Sequence, residues 1–267
     1  MPPARKRARS YDHTKIGAAV LTQLGHVRQT VRTLTPEELA APTRLGTWTV
    51  RELAVHIAQA TGAVAAAAAC PAPPKQDFAL LDWPRRTMER SAAIDQGARE
   101  AAESVSTAAA LGELYDGVAR GLADALEAGS GDRLLATRQG AMRLGDLLVT
   151  RAVELIVHTD DLNAATGRDV PLERQALAAC VRLLADTLAV RAPGGSVEVR
   201  VPPYAVVQCV EGPRHTRGTP PNVVETDPLT WIRVATGRTG WDEALAAARV
   251  SASGERADIS GLLPVLS

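Results

Sequence analysis

The spacing of apolar residues changes once along this chain of 267 residues, and that change limits the folds open to it. From residue 12 to about residue 190, apolar side chains mostly recur every three or four positions, which is the period of an amphipathic helix. After Gly194 and Gly195, valines alternate with charged residues over residues 197–201, which is typical of a strand with one buried face. The sequence therefore predicts a helical region followed by a smaller mixed region.

Start and stop signals divide the helical region. Thr35 followed by Pro36 predicts a short helix, because threonine caps a helix and proline is tolerated in its first turn. Thr47 or Thr49 is expected to cap the helix that ends near Ala69. The predicted long helices cover residues 12–34, 47–69, 86–104, 107–127 and 143–165, and a loop contains Trp83 and Pro84. Long helices with short connections predict an α-helical bundle of the four-helix type.

The remaining residues predict a small α+β domain. Its predicted elements are helices at 172–190, 227–235 and 241–249, strands at 197–201, 205–210, 222–225 and 250–253, a hairpin partner at 214–218, and a closing segment at 262–266. We expect a disordered basic tail over residues 1–11, a bundle over 12–168 and the α+β domain over 169–267. The alternative is that the predicted helix at 172–190 belongs to the bundle.

Composition excludes some functions. The formal net charge is zero, so we expect no general attraction to nucleic acid. The basic run at residues 5–9 is interpreted as part of the disordered tail, with a nucleic-acid-binding tail as the alternative. The alanine-rich run at 63–69 is too short to span a membrane. Cys70, Cys180 and Cys209 form no ligand pair and are predicted to be buried free thiols. We expect a cytoplasmic monomer or homodimer without nucleic-acid or membrane partners.

The candidate site combines His56 with Glu154 and His158. Residues four apart share a helix face, so Glu154 and His158 point the same way. If the helix carrying His56 faces them, two imidazoles and a carboxylate converge and leave a fourth position open, as in a catalytic zinc site. The alternative is a solvated Glu–His contact and an ordinary core histidine.

Two motifs and the C-terminal region carry a resemblance to a known family. Residues 46–56 (GTWTVRELAVH) resemble the first metal-helix motif of the DinB-like superfamily, in the branch of mycothiol-dependent maleylpyruvate isomerases. Residues 151–167 (RAVELIVHTDDLNAATG) are similar to that branch's Glu-x-x-x-His-x-x-Asp-Leu signature. Residues 224–231, 235–238 and 253–258 resemble its sterol-carrier-like C-terminal domain.

The resemblance implies a zinc ion held by His56, Glu154 and His158, with mycothiol as the thiol cosubstrate. The activated thiol would add to a small electrophile, either isomerising a cis double bond or remaining attached as in an S-transferase. Asp161 is a candidate partner that orients a histidine ligand. Helix-end capping is its alternative role.

Other side chains are assigned less specific roles. The resemblance implies that the C-terminal domain contributes a cationic group to the active site. Arg238 and Arg249 lie in or next to the matching segments and are candidates for binding a substrate carboxylate, with plain surface solvation as the alternative. Arg151 is expected to form an i,i+3 ion pair with Glu154, with contact to an anionic substrate as the alternative. Trp48 is expected to pack as an anchor.

Two non-catalytic functions compete with the enzyme. The C-terminal domain could bind an apolar ligand, as sterol carriers do. The bundle could belong to a metal-binding stress protein without turnover.

Overall fold

The computed structural model describes residues 9–213 and 220–267. The predicted hairpin strand at 214–218 and the basic tail up to residue 8 lie outside the described residues. At the edge of the tail, Arg9 donates a hydrogen bond to Asp186 over 2.6 Å. Seven helices and a hairpin come first: α1 (His13–Val31), α2 (Pro36–Ala40), α3 (Val50–Ala68), α4 (Trp83–Met88), α5 (Ser91–Ala102), α6 (Ala108–Ala128), β1 (Leu134–Thr137), β2 (Gly140–Arg143) and α7 (Leu144–Thr166).

Four of these helices form the predicted bundle. Helices α1, α3, α6 and α7 pack side by side, with α1 and α3 each contacting both α6 and α7. Helix α7 is buried along most of its length, so half of its polar side chains are buried inside the protein. The prediction of a helical bundle is confirmed.

The second region is the predicted α+β domain, and its elements are α8 (Arg174–Arg191), β3 (Val197–Val201), β4 (Ala205–Cys209), β5 (Val223–Thr226), α9 (Pro228–Ala235), α10 (Trp241–Ala246) and β6 (Val250–Ser253). The sheet has the order β4-β3-β5-β6, with β3 and β5 parallel and the other neighbours antiparallel. Val197, Val199 and Val201 are buried, as the alternation predicts. Helix α8 contacts α1 and α7 as well as β4 and α9.

Local signals explain where several helices begin and end. The Thr35 side chain accepts a hydrogen bond from the Glu38 amide, and the Glu38 carboxylate accepts one from the Thr35 amide, so α2 starts with a capping box. At the start of α3, the Glu52 carboxylate accepts hydrogen bonds from the Thr49 amide over 2.5 Å and from the Thr49 hydroxyl over 2.8 Å. Helix α7 ends at Gly167, whose φ of 69° is left-handed and suits glycine.

Five predictions were wrong. Helix α1 ends at Val31, three residues before the predicted end. Trp83 and Pro84 do not lie in a loop but begin α4, where proline takes a first-turn position. Helix α5 starts at Ser91, and α10 ends at Ala246, three residues before the predicted end. Cys70 is exposed, since it follows the end of α3, whereas the other two cysteines are buried.

The hairpin of β1 and β2 was not predicted. Its strands have four residues each, too few for a visible alternation. A long-range contact stabilises it: the Asp77 amide donates to the Ala141 carbonyl over 2.9 Å, and the Asp77 carboxylate accepts from the Ala141 amide over 2.8 Å. Within residues 9–213 and 220–267, no helix has the length and apolarity needed to cross a membrane.

Candidate metal centre

Three possible metal ligands meet between α3 and α7. His56 Nε2 lies 3.3 Å from Glu154 Oε2, and His158 Nε2 lies 3.2 Å from the same oxygen. The imidazole rings of the two histidines are 4.9 Å apart and perpendicular. In the described part of the chain, these three form the one group of His, Cys, Asp or Glu whose ligand atoms lie within 4.8 Å of one another. Their role as ligands stays a prediction.

The donor set fits a tetrahedral cation. Zinc binds imidazole nitrogen and carboxylate oxygen at about 2 Å, which places neighbouring ligand atoms about 3.3 Å apart. The two separations from Glu154 Oε2 match that value. Three protein ligands would leave a fourth coordination position free for a thiol.

Hydrogen bonding around His158 also favours a cation. Its Nδ1 lies 2.9 Å from Asp161 Oδ2, and a carboxylate only accepts, so Nδ1 carries the hydrogen. The Nε2 of a neutral His158 then points a lone pair at the carboxylate of Glu154. Two acceptors at this distance need a proton or a metal ion between them. Burial alone would lower the pKa of His158, but Asp161 and Glu154 together raise it, which reflects the same need.

The other two candidate ligands are electrostatically coupled: the His56 side chain is buried and that of Glu154 is 13% exposed. Burial lowers the pKa of His56, which favours the neutral imidazole that metals require. Burial alone would raise the pKa of Glu154, but His158, His56 and Arg151 hold it well below its usual value. Arg151 Nη2 lies 3.8 Å from Glu154 Oε1, and its Nη1 donates to the carbonyl of Ala60 over 2.9 Å. The predicted ion pair of Arg151 is therefore present.

A cavity of about 260 Å³ opens beside the three ligands. Its other lining residues are Leu45, Trp48, Thr87, Ser91, Ile94, Asp95, Val153, Val157, Arg238, Leu266 and Ser267. The Trp48 ring is 5.1 Å from the His56 ring, and its Nε1 donates to Asp95 over 2.5 Å. Trp48 is thus buried as expected, but it also forms part of the cavity wall.

The structure separates the two arginines predicted to bind substrate. Arg238 lines the cavity and donates from Nε and Nη2 to Asp161 over 3.3 and 3.0 Å. Arg249 is exposed at the start of β6 and is not among the lining residues. Asp161 is completely buried and contacts both His158 and Arg238, so it joins the ligand group to the C-terminal domain.

Two protein-family models match the chain, one over the bundle and one over the C-terminal domain. Residues 20–163 match the model of the mycothiol maleylpyruvate isomerase N-terminal domain. The chain belongs to the mycothiol-dependent maleylpyruvate isomerase family. Residues 173–265 match the bacterial SCP ortholog model. The predicted family, its thiol-dependent enzyme class and the fold class are confirmed.

Solved structures share the fold. A crystal structure of the mycothiol-dependent maleylpyruvate isomerase aligns with a TM-score of 0.57 and 18% identity, over 91% of this chain and 93% of that one. A histidine-to-alanine variant of that isomerase aligns with a TM-score of 0.58 at the same identity and coverage. No curated protein sequence is significantly similar to the chain.

Some residues near the site were missed from the sequence. Arg44, Asp160 and Arg233 form ion pairs next to Asp161, and Asp95 binds the Trp48 indole. Asp160 precedes the family's Asp-Leu pair and could have been noticed there. The two arginines lie 116 and 73 residues from Asp160, and no local pattern connects them to it.

Proposed function

We propose that the chain is a zinc-dependent enzyme that uses mycothiol to attack a small electrophilic substrate. The observation that carries the proposal is the meeting of His56, Glu154 and His158 at the side of a cavity. The substrate class extends to maleylpyruvate and to related electrophiles with an activated double bond. When bound, zinc supplies a Lewis acid that lowers the pKa of a coordinating thiol into the physiological range.

The protein's own residues orient and enclose the reaction. Asp161 accepts from His158 Nδ1 and so keeps the Nε2 lone pair directed at the metal position. Arg151 is buried behind Glu154 and limits the protonation of that carboxylate by its positive charge. Trp48, Val153 and Val157 give the cavity apolar walls, which reduce the access of water to the reacting thiolate.

Arg238 is the proposed binding group for a substrate carboxylate. Its guanidinium lines the cavity that also contains the three ligands, and guanidinium suits carboxylate recognition. In an isomerisation, the thiol adds across the cis carbon–carbon double bond, which becomes a single bond. Rotation about that carbon–carbon bond, followed by elimination of the thiol, gives the trans product. In an S-transfer, the adduct is released instead. Both reactions use the same ligand set and the same anion site.

The C-terminal domain is proposed to complete the active site instead of acting as a separate lipid carrier. Arg238 and Leu266 come from that domain, and both line the cavity at the bundle's ligand group. A carrier role would not require these side chains beside metal-binding residues. The protein is proposed to act on small molecules in the cytoplasm, without nucleic acid.

The decisive experiment measures metal content and thiol-dependent turnover on one sample. We expect about one divalent ion per chain in the wild type and loss of both metal and activity in His56→Ala. His26→Ala is the matched control, because it also removes a histidine but not one of the three predicted ligands. His26 lies on α1, and its Nδ1 contacts the carbonyl of Pro171. Substrates to screen with mycothiol are maleylpyruvate and model electrophiles. A wild-type protein that neither contains nor binds a divalent metal would end the proposal.

A further inference from the structure

Beside the ligand group, three arginines share two consecutive carboxylates of α7. Arg44 precedes α3, and its Nε donates to Asp161 over 2.6 Å while its Nη2 contacts Asp160. Arg233 on α9 donates to Asp160 from Nε over 2.9 Å and from Nη2 over 2.6 Å. Arg238 makes the corresponding pair of bonds to Asp161. The cluster therefore joins the bundle to the C-terminal domain.

We propose that Arg44, Asp160 and Arg233 are positioning residues that hold Arg238 in the cavity with a net positive charge for the substrate anion. The inference rests on the proposed function, since it concerns the anion site of that reaction. None of the three lines the cavity, so each would act through Arg238 and not by touching substrate.

Backbone hydrogen bonds connect Arg233 to Arg238. The Arg238 amide donates to the Arg233 carbonyl over 2.7 Å, and the Thr239 amide donates to the same oxygen over 3.3 Å. Gly237 has a φ of 72°, so the chain turns sharply between the end of α9 and Arg238. Because the Arg233 side chain is bonded to Asp160 in the bundle, its carbonyl fixes the turn that presents Arg238.

The Arg238 guanidinium has N–H donors for a substrate carboxylate in addition to those that bind its protein partners. A guanidinium has five N–H donors. Two face Asp161, and Nη1 donates a third to the Thr236 carbonyl over 2.8 Å. Two N–H groups remain on a side chain that is 11% exposed and lines the cavity. They suffice for a bidentate carboxylate.

The second contribution of the cluster is its net charge. Without Arg44, Asp160 and Asp161 would form two neutral pairs with Arg233 and Arg238. Arg44 adds a third guanidinium to two carboxylates and leaves the cluster with one positive charge in excess. Its side chain is 27% exposed, so this charge is partly screened by water, unlike that of Arg238.

Steady-state kinetics with a carboxylate-bearing substrate, maleylpyruvate first, test the proposal. We expect Arg44→Gln and Arg233→Gln to raise KM about tenfold while kcat changes little. Arg44→Lys should recover part of the loss because it keeps the charge. In an Arg238→Gln background, Arg233→Gln should have no further effect, and Arg44→Gln should have a smaller effect than in the wild type. If Arg44→Gln and Arg233→Gln raise KM in the Arg238→Gln background by the same factor as in the wild type, the proposal is overturned.

Arg168→Gln is the matched control for both kinetic variants. Arg168 has a similar exposure of 29% and bonds to Glu38 and Thr33, away from the cluster. We expect its KM to stay at the wild-type value. An equal rise in KM for Arg168→Gln would show a general structural effect and contradict the positioning role.

Amide hydrogen exchange tests the positioning without any activity. We expect Arg233→Gln and Asp160→Asn to speed exchange at the Arg238 and Thr239 amides about tenfold, and strand β6 to keep its wild-type rate. Arg168→Gln should leave both segments unchanged. Unchanged exchange at Arg238 and Thr239 would overturn the proposal. Absence of thiol-dependent turnover in the wild type would reject the proposed function. The exchange rates at the Arg238 and Thr239 amides would still show whether Arg233 and Asp160 position Arg238.

Discussion

At the scale of single residues, Asp161 connects the candidate metal site to the C-terminal domain. Its carboxylate is fully buried and is held ionised, because bonds to His158 and Arg238 overcome the cost of burial and lower its pKa. One oxygen, Oδ2, accepts from both His158 Nδ1 and Arg238 Nη2. A single side chain therefore orients both the proposed metal ligand His158 and the proposed anion-binding group Arg238.

This arrangement predicts a specific effect on metal binding. Asp161→Asn should weaken zinc binding about 10- to 100-fold, because the amide no longer fixes the His158 tautomer or raises its basicity. Competition with a chromophoric chelator measures the change.

The neighbouring Asp160→Asn is the control. Asp160 shares the partner Arg44 but does not contact His158. Equal loss of zinc affinity in the two variants would show that cluster charge, and not the orientation of His158, controls metal binding.

At the scale of elements, short helix α2 is stabilised by side-chain bonds more than by burial, since Leu39 is its one buried residue. Glu38 closes the capping box with Thr35 and also accepts from Arg168 Nε and Nη2 over 2.7 Å each. Arg168 follows the end of α7. The ion pair therefore ties α2 to the helix that carries Glu154 and His158.

The ion pair predicts a dependence of stability on pH. The bonds from Arg168 lower the pKa of Glu38 from its usual 4.5 to about 2. A lowered pKa in the folded state stabilises the protein above pH 4.5, and this contribution disappears as pH falls towards 2. Glu38→Gln should thus be less stable than wild type at neutral pH, and the difference should shrink over that interval.

Urea unfolding at a series of pH values measures this difference. Arg168→Gln should show the same pH dependence, since it removes the other partner. A difference between wild type and Glu38→Gln that is the same at pH 2 and pH 7 would contradict the assignment.

At the scale of the whole molecule, α8 belongs to both cores. It packs on α1 and α7 of the bundle and on β4 and α9 of the second domain. The Trp231 indole of α9 also donates to the carbonyl of Val181 in α8 over 3.3 Å. A helix shared in this way makes the stability of each domain depend on the other.

Removing volume from α8 should therefore destabilise both domains together. Leu184 is fully buried, and Leu184→Ala should lower the free energy of unfolding by about 2–5 kcal/mol. Hydrogen exchange should accelerate in α3 and in β3 alike.

The control on the same helix is Val190→Ala, because Val190 is 60% exposed. It should change the exchange rates little. Faster exchange in β3 while α3 keeps its wild-type rate would show that the two domains unfold independently.

The site was predictable where local spacing carried the information. The four-residue spacing of Glu154 and His158 fixes their common face, and apolar periodicity placed His56 on a helix of the bundle. The same local rules located the caps at Thr35 and Thr49. Helix α4 was misassigned because Pro84 was interpreted as a loop residue and not as a first-turn proline.

The sequence by itself determined the helical bundle, the α+β domain and the three side chains that could bind a metal, because helix and strand periods are properties of neighbouring residues. Tertiary structure alone decided that Arg238 and not Arg249 lines the cavity, and that Arg44 and Arg233 share Asp160. Those contacts depend on how two domains pack across α8. Ion pairs between residues more than 70 positions apart leave no periodic trace in a single sequence.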